Sequence, residues 1–255
     1  KKKYISMMLI DSYAIKKNIL EKLNKTVITS VILDSYENIN ANILISPQPI
    51  TFKKVKNIRY FIGPKFAPVD LKKSTISKEK TFLVSMGMYD SKGVTLKIIN
   101  VIKKNYKKKI FNFNTIITLG KKSPILKQVK EEIKKYKDNI QLIIEAENMN
   151  SIYEKCQFAI GAPGLSYLER LAVGVPSILI SQSKRHDYLI KKWKSKNCAI
   201  EAKDNLVSIE KAILQMETNK KLRQNIRQQG LKNVDGKGAL RIANEITRYL
   251  INYKA

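Results

Sequence analysis

Cysteine, histidine and acidic residues are all scarce in this chain. Two cysteines in 255 residues, Cys156 and Cys198, are too few and too ordinarily spaced for a disulfide framework or a zinc site. Two buried thiols in a reducing cytoplasm are the expectation, and no residue pattern calls for a metal or a cofactor. His186 is the single histidine. No uninterrupted apolar run approaches the roughly 20 residues of a membrane-spanning helix, and no secretory h-region follows the opening lysines. The reading is therefore a cytoplasmic chain with no transmembrane segment. Acidic residues number 21 against 49 Lys and Arg, for a formal charge of +28. A nucleic-acid footprint would be clustered and rich in Arg, which reads phosphates and bases bidentately. Here Lys far outnumbers Arg, is spread along the chain, and is accompanied by abundant Ile and Asn. That joint excess follows AT-rich codon usage and marks no specific nucleic-acid partner, although salt-sensitive nonspecific binding in vitro is expected. The lysine runs at 53–56, 103–109 and 134–137 are expected on solvated faces.

What the chain has is apolar periodicity. Hydrophobic residues make up 44% of it, enough for a buried core in one large or two modest domains. Apolar runs alternate with amphipathic segments, the pattern of parallel α/β layers. Strands are expected at Tyr4–Ile10, Val27–Leu33 and Asn42–Ser46, with a helix at Ala14–Leu23, before Arg59–Ile62 leads into Gly63-Pro64. The polar stretch 70–80 lacks periodicity and reads as a linker. Beyond it come strands at Thr81–Ser85, Thr115–Leu119, Ile140–Ile144, Phe158–Ile160 and Ser177–Ile180. Helices lie between them at Gly93–Lys103, Ile125–Tyr136, Met149–Lys155 and Leu165–Val173. The tail from Ser208 to Tyr253 is mostly helical with a break at Gly230–Gly238. This gives a first domain at 1–70, a linker at 71–80 and a second domain at 81–255 whose final helix packs back toward the first. About three strands are too few to cover a parallel sheet, so the first domain is read as incomplete and residue 1 as lying inside a longer polypeptide.

The densest signal is FAIGAPGLSYLERLAVGVPSILIS at 158–181. A short apolar strand meets Gly161, Pro163 and Gly164. A helix follows with Leu168, Leu171 and Ala172 on one side and Glu169 and Arg170 off it, and Gly174 and Pro176 end it before the next strand. A glycine turn at a helix start presents free N–H groups and the positive dipole end to an anion such as a phosphate. The same turn also serves plain strand–helix packing, and the pattern alone leaves both readings open.

Five segments, LIDSY at 9–13, IGPKFAPVD at 62–70, FLVSMGMYDSKGVTLKII at 82–99, the 158–181 unit and VDGKGALRIA at 234–243, together resemble the two-domain, GT-B-type UDP-sugar enzymes grouped with family 28 glycosyltransferases. Within that group the chain most resembles the UDP-sugar hydrolases of pseudaminic-acid synthesis and the related spore-coat polysaccharide proteins. The resemblance implies two Rossmann-like domains, a UDP-sugar as ligand, and no cofactor. It gives Gly161 and Gly164 the turn that approaches the phosphates and lets Ser166 donate a hydrogen bond there. Glu169 matches the acid that accepts from ribose hydroxyls; as a surface helix residue it would merely pair with a lysine. Ser85 and Gly87 match a glycine loop facing the cleft between domains. Asn148 and Met149 match the segment flanking the base pocket, where Met149 also suits core filling.

The chain departs from that pattern in several places. Met88 replaces the usual second glycine after Gly87 and is followed by Tyr89. Arg185 and His186 stand where an Asn-Gln pair is usual, and Asp70 where an arginine is common. The Gly-x-Gly-His loop that supplies the family's hydrolytic histidine is absent, and His186 lies in the other domain, as a solvated or sugar-contacting residue rather than a general base. Asp11 and Asp34 end adjacent strands and are open to reading as a carboxylate pair or as simple caps. Asp235-Gly236-Lys237-Gly238 reads as a tight turn into the last helix. The function read from all this is a UDP-sugar hydrolase-like or glycosyltransferase-like enzyme of bacterial surface-glycan, nonulosonic-acid synthesis. The alternatives are a catalytically silent nucleotide-sugar-binding module and, more distantly, a basic nucleic-acid-binding protein.

Overall fold

The computed structural model describes residues 5–11, 17–23, 27–32, 41–51, 53–69, 71 and 80–254. Asp34, Asp70 and most of the expected linker lie outside them. The chain divides into two units, 1–70 together with 234–255, and 71–233.

The first unit begins with β1 (Ile5–Ile10), α1 (Lys17–Leu23), β2 (Val27–Ile32), β3 (Ile43–Ser46) and β4 (Arg59–Ile62), followed by a 3-10 turn at Pro64–Phe66. The sheet is parallel and runs β1-β2-β3-β4. The apolar pattern predicts about three strands here. Arg59–Ile62 is the fourth, obscured because Arg59 and Tyr60 break the apolar run while Phe61 pairs with Ile45 on the buried face.

The second unit carries β5 (Thr81–Ser85), α2 (Val94–Lys107), β6 (Asn114–Leu119), α3 (Leu126–Ile133), β7 (Ile140–Ile144), α4 (Met149–Tyr153), β8 (Phe158–Gly161) and α5 (Leu165–Val173). β9 (Ser177–Ile180), α6 (Lys184–Ser195), β10 (Ala199–Ala202), α7 (Leu206–Thr218) and α8 (Lys220–Asn233) complete it. Its six strands are all parallel, in the order β10-β9-β8-β5-β6-β7. Every residue of β5, β8 and β9 is buried, as strands covered on both faces require. Phe82, Val84, Ile117 and Ile160 pack with Ile98, Ile102, Ile209 and Ile213 on one face. Leu83, Ile116 and Ala159 pack with Ile152, Tyr153 and Val173 on the other. The order reverses direction between β5 and β8, and in open α/β sheets ligands bind outside the strands' carboxyl ends at such a switch point.

Two stretches of this unit carry structure that the sequence pattern did not reveal. In α6 only Leu189, Ile190 and Trp193 are buried among lysines, with Trp193 edge-on to Tyr167 at 5.3 Å. β10 is a four-residue edge strand containing Glu201. The expected break at Gly230 is also displaced. α8 runs through Gly230 because the missing side chain lets Leu171 pack there, 3.0 Å from where a Cβ would stand. Arg170, expected off the apolar side of α5, is fully buried instead.

The chain then returns to the first unit as α9 (Gly238–Lys254). Ile242 and Ile246 join Val31, Ile43, Ile45, Phe61 and Phe66 in one core. Two of the five quoted segments meet here. Arg241 forms a bidentate pair with Asp235 and donates to the Lys65 carbonyl at 3.0 Å, and this pairing holds the Asp235 carboxyl down at about 2. The lysines of the three runs lie exposed or half-buried, as expected, while Asn105 within the second is buried. Among the described residues no helix is long and apolar enough to cross a membrane.

Candidate functional site at the switch point of the second sheet

The carboxyl ends of β5 and β8 lie side by side, with Ser85 in register with Gly161. Ser85, Gly87, Met149 and Ser166 meet in a cavity of about 190 Å³, together with Met88, Thr118, Leu119, Glu145 and Ala146. Sites that enclose a whole ligand usually measure about 300–1,000 Å³, so this one has room for a single flat part of a ligand. Gly87 has φ +97° and nothing within 4 Å of where its Cβ would be; the loop takes a left-handed bend that glycine makes without strain. Glu145 also lies in the left-handed region. Asn148 stands outside the cavity lining and caps α4, its Oδ1 accepting from the Ser151 N–H at 3.2 Å. Larger clefts of about 410 and 450 Å³ open around Lys80, Asn114 and Asn139. They lie at the amino ends of the strands, away from the switch point.

The two glycines of the 161–164 turn have different reasons to be glycine. A Cβ on Gly161 would stand 2.4 Å from the Ser85 carbonyl oxygen and 2.9 Å from Nη2 of Arg170, so close packing accounts for it. Gly164 has ordinary extended backbone and nothing within 4 Å of a Cβ. It is the N-cap of α5, and no side chain caps that helix. By contrast Asp90 accepts from the Val94 and Thr95 N–H groups at the start of α2, and Asn148, Ser183 and Asn205 cap α4, α6 and α7. One turn into α5, the Glu169 carboxylate accepts from the Tyr153 hydroxyl at 2.7 Å. Burial, the largest influence, raises the Tyr153 phenol well above its usual range, so this hydroxyl stays protonated as a donor. One carboxylate oxygen is thereby fixed and the other is left toward solvent.

His186 belongs to a second cluster on the same sheet. Its Nδ1 accepts from the Gln182 backbone N–H at 3.2 Å, while the Gln182 side chain donates to buried Asp90 at 2.9 Å. The Nδ1 contact places the proton of the neutral ring on Nε2, making His186 a donor at that atom. Burial, together with Arg185 and Lys92, lowers its pKa. The proton-bound form is therefore favoured more in the unfolded chain. This group's contribution to stability is complete above the unfolded value of about 6.5 and declines as pH falls below it. As the single histidine, its ring C–H signal is unambiguous by NMR, and a titration midpoint below about 6.5 is expected; a midpoint at or above that value would show that burial and the neighbouring cations do not dominate the ring's surroundings.

The cavity draws together Ser85, Gly87, Met149 and Ser166, and leaves Asn148, Gly161, Gly164, Glu169 and His186 outside its lining. The structure also brings Tyr153 to Glu169, Gln182 to His186, Asp90 to Gln182 and Arg170 to Ala162, four residues that no motif singles out. For Tyr153 the available signal is its place, next to Ile152, at the end of the short helix that precedes β8 and the glycine turn. For Gln182 nothing local marks it, because its partner Asp90 lies 92 positions away.

No family model matches the chain. It is 27% identical over 173 residues to SpsG, a spore coat polysaccharide biosynthesis protein of Bacillus subtilis, a match covering 66% of this chain and 50% of that protein. The structure of S. aureus MnaA with UDP aligns over 96% of this chain and 76% of that one, with a TM-score of 0.71 at 15% identity. A putative UDP-N-acetylglucosamine 2-epimerase from Listeria monocytogenes aligns over 97% and 75%, with a TM-score of 0.66 at 13% identity. The fold is of the GT-B, Rossmann-like type. The chain is homologous to a protein of spore coat polysaccharide biosynthesis and spans half that relative's length.

Proposed function

We propose that the second unit binds the UDP moiety of a nucleotide-activated sugar at the carboxyl ends of β5 and β8. The observation that carries this is the uncapped, unobstructed N-terminus of α5 at the sheet's switch point, beside a cavity that fits one flat ring. In this reading the base enters the cavity between Met149 and the Gly87 loop. The diphosphate meets the α5 N–H groups at Gly164, where Ser166 is placed to donate, and the ribose hydroxyls donate to the free oxygen of Glu169. His186 offers its Nε2–H to the sugar or phosphate. No cofactor is required by these contacts. The homology to a spore coat polysaccharide biosynthesis protein supports a role in surface-glycan synthesis; within that role the reading is an enzyme that hydrolyses or transfers an activated amino sugar, with a nonulosonic acid as the class of product. A second reading, a binding module without its own base, is favoured by one observation: the Nδ1 of the single histidine is already occupied by Gln182.

Glu169→Gln tests the nucleotide assignment. Losing charge-assisted hydrogen bonds to the ribose should cost roughly 1.5–3 kcal/mol, about ten- to hundredfold in UDP affinity by calorimetric titration. A dideoxyribose analogue, already weak, should lose almost nothing further. Equal losses for both ligands would mean a packing defect transmitted through Tyr153, and no loss for either would remove Glu169 from the site.

A further inference from the structure

Arg170 is fully buried, on a helix whose first turn is the open end of the site. Its Nε donates to the Ser177 hydroxyl at 3.0 Å and its Nη2 to the Ala162 carbonyl at 3.3 Å. Nη1 is buried without a hydrogen-bond partner. A Cβ on Gly161 would stand 2.9 and 3.1 Å from Nη2 and Nη1, so the guanidinium lies directly against the backbone of the Gly161–Ala162 turn. Its aromatic neighbour is Tyr167, 5.5 Å away. The adjacent Glu169 carboxylate is taken up by Tyr153, and among the described residues Arg170 has no ion pair. An arginine stays charged in proteins; Glu169 attracts it only from beyond ion-pair distance, and a buried charge with no counter-charge in contact is costly to the fold.

We infer that Arg170 is the fixed counter-charge for the ligand's diphosphate: held beneath the 161–164 turn and out of solvent, its unpaired guanidinium is neutralised across that turn by the anion at the α5 N-terminus. This rests on the nucleotide reading above and adds a residue to it. Arg170 acts as a positioning and electrostatic residue, since it reaches the ligand only through the turn. The low-dielectric surroundings that make its charge costly in the free protein are what make the attraction felt at a distance. A surface lysine at the same separation would be screened by water and salt. An anion is therefore expected to bind according to its charge, and the uncharged nucleoside to gain nothing from Arg170.

The test compares uridine, UMP and UDP on the whole chain by calorimetric titration. In Arg170→Met, UDP affinity should fall at least about tenfold, UMP affinity by less, and uridine affinity should stay within about twofold. A purely structural arginine would lower all three equally or none, and either result would overturn the inference. Arg170→Lys covers the case in which the methionine variant does not fold. A buried lysine becomes titratable where arginine is not, so the ratio of UDP affinity in Arg170→Lys to that in the wild type should fall as pH rises from about 7.5 to about 9, a ratio from which the ligand's own ionisation cancels. A ratio that stays flat overturns the inference as well. Absence of UDP binding by the wild type would instead defeat the nucleotide reading itself, so the two failures are told apart.

Discussion

Gly161→Ala is expected to lower the unfolding free energy by about 3 kcal/mol or more, at the upper end of overpacking costs. Gly164→Ala should cost no more than about 1 kcal/mol, the preference for Gly over Ala at an N-cap. The new methyl at 161 would stand 2.4 Å from the Ser85 carbonyl, on the neighbouring strand of a fully buried pair, and neither backbone has room to move. At 164 the methyl meets nothing within 4 Å and φ is unremarkable for an L-residue at −93°. The ranking for ligand binding is the reverse. Gly164→Ala folds and loses UDP affinity by about tenfold or more, because the methyl projects where the phosphates are proposed to sit. Urea titration followed by the fluorescence of Trp193, the single tryptophan, reports on the second unit and checks the first half. Calorimetry with UDP checks the second. A Gly164→Ala variant that binds UDP normally would move the diphosphate away from α5.

The second large effect belongs to the other unit. A Cβ on Gly238 would stand 1.9 Å from the Ala67 carbonyl oxygen, 2.5 Å from its carbon and 2.7 Å from its nitrogen. Gly238→Ala therefore forces the start of α9 off the 65–67 backbone. It also pulls apart the contact made by Arg241 and Asp235. The expected loss is again about 3 kcal/mol or more, confined to the unit built from 1–70 and 234–255. Circular dichroism should show part of the helical signal melting at lower temperature or urea, while Trp193 fluorescence keeps its wild-type midpoint. Coincident shifts in both signals would show that the two units unfold as one.

The sequence was most readable where the chain is most buried. β5, α5 and β9 begin and end at the expected residues, because an apolar run bounded by turn residues has few other ways to be satisfied. α6 and β10 escaped because only one face of each is covered and their exposed residues dilute the pattern. The 158–181 unit was legible as a strand, turn and helix. What the pattern could not separate was which glycine serves packing and which leaves space, since Gly161 and Gly164 differ only in what the rest of the fold puts beside them. Arg170 shows the same limit from the other side. Its charge argues for the surface, yet the helix that bears it packs against α4 and α8, and Ser177 and Ala162 supply partners that only tertiary structure brings near. The pairing of Tyr153 with Glu169 and of Asp90 with Gln182 likewise depends on strand order.

The chain enters the second unit after Asp70 and leaves it after Asn233, so one unit is an insertion within the other. That nesting constrains the order of events during synthesis. The inserted unit is contiguous, and its six-stranded sheet has all its parts once Asn233 has emerged. The outer unit still lacks Ile242 and Ile246, which cover Ile43, Ile45 and Phe61 and follow them by roughly 200 residues, a long loop to close by chance. Prior folding of the inserted unit replaces most of that loop with a compact body. The outer unit then assembles last, as a short-range event rather than a long-range search.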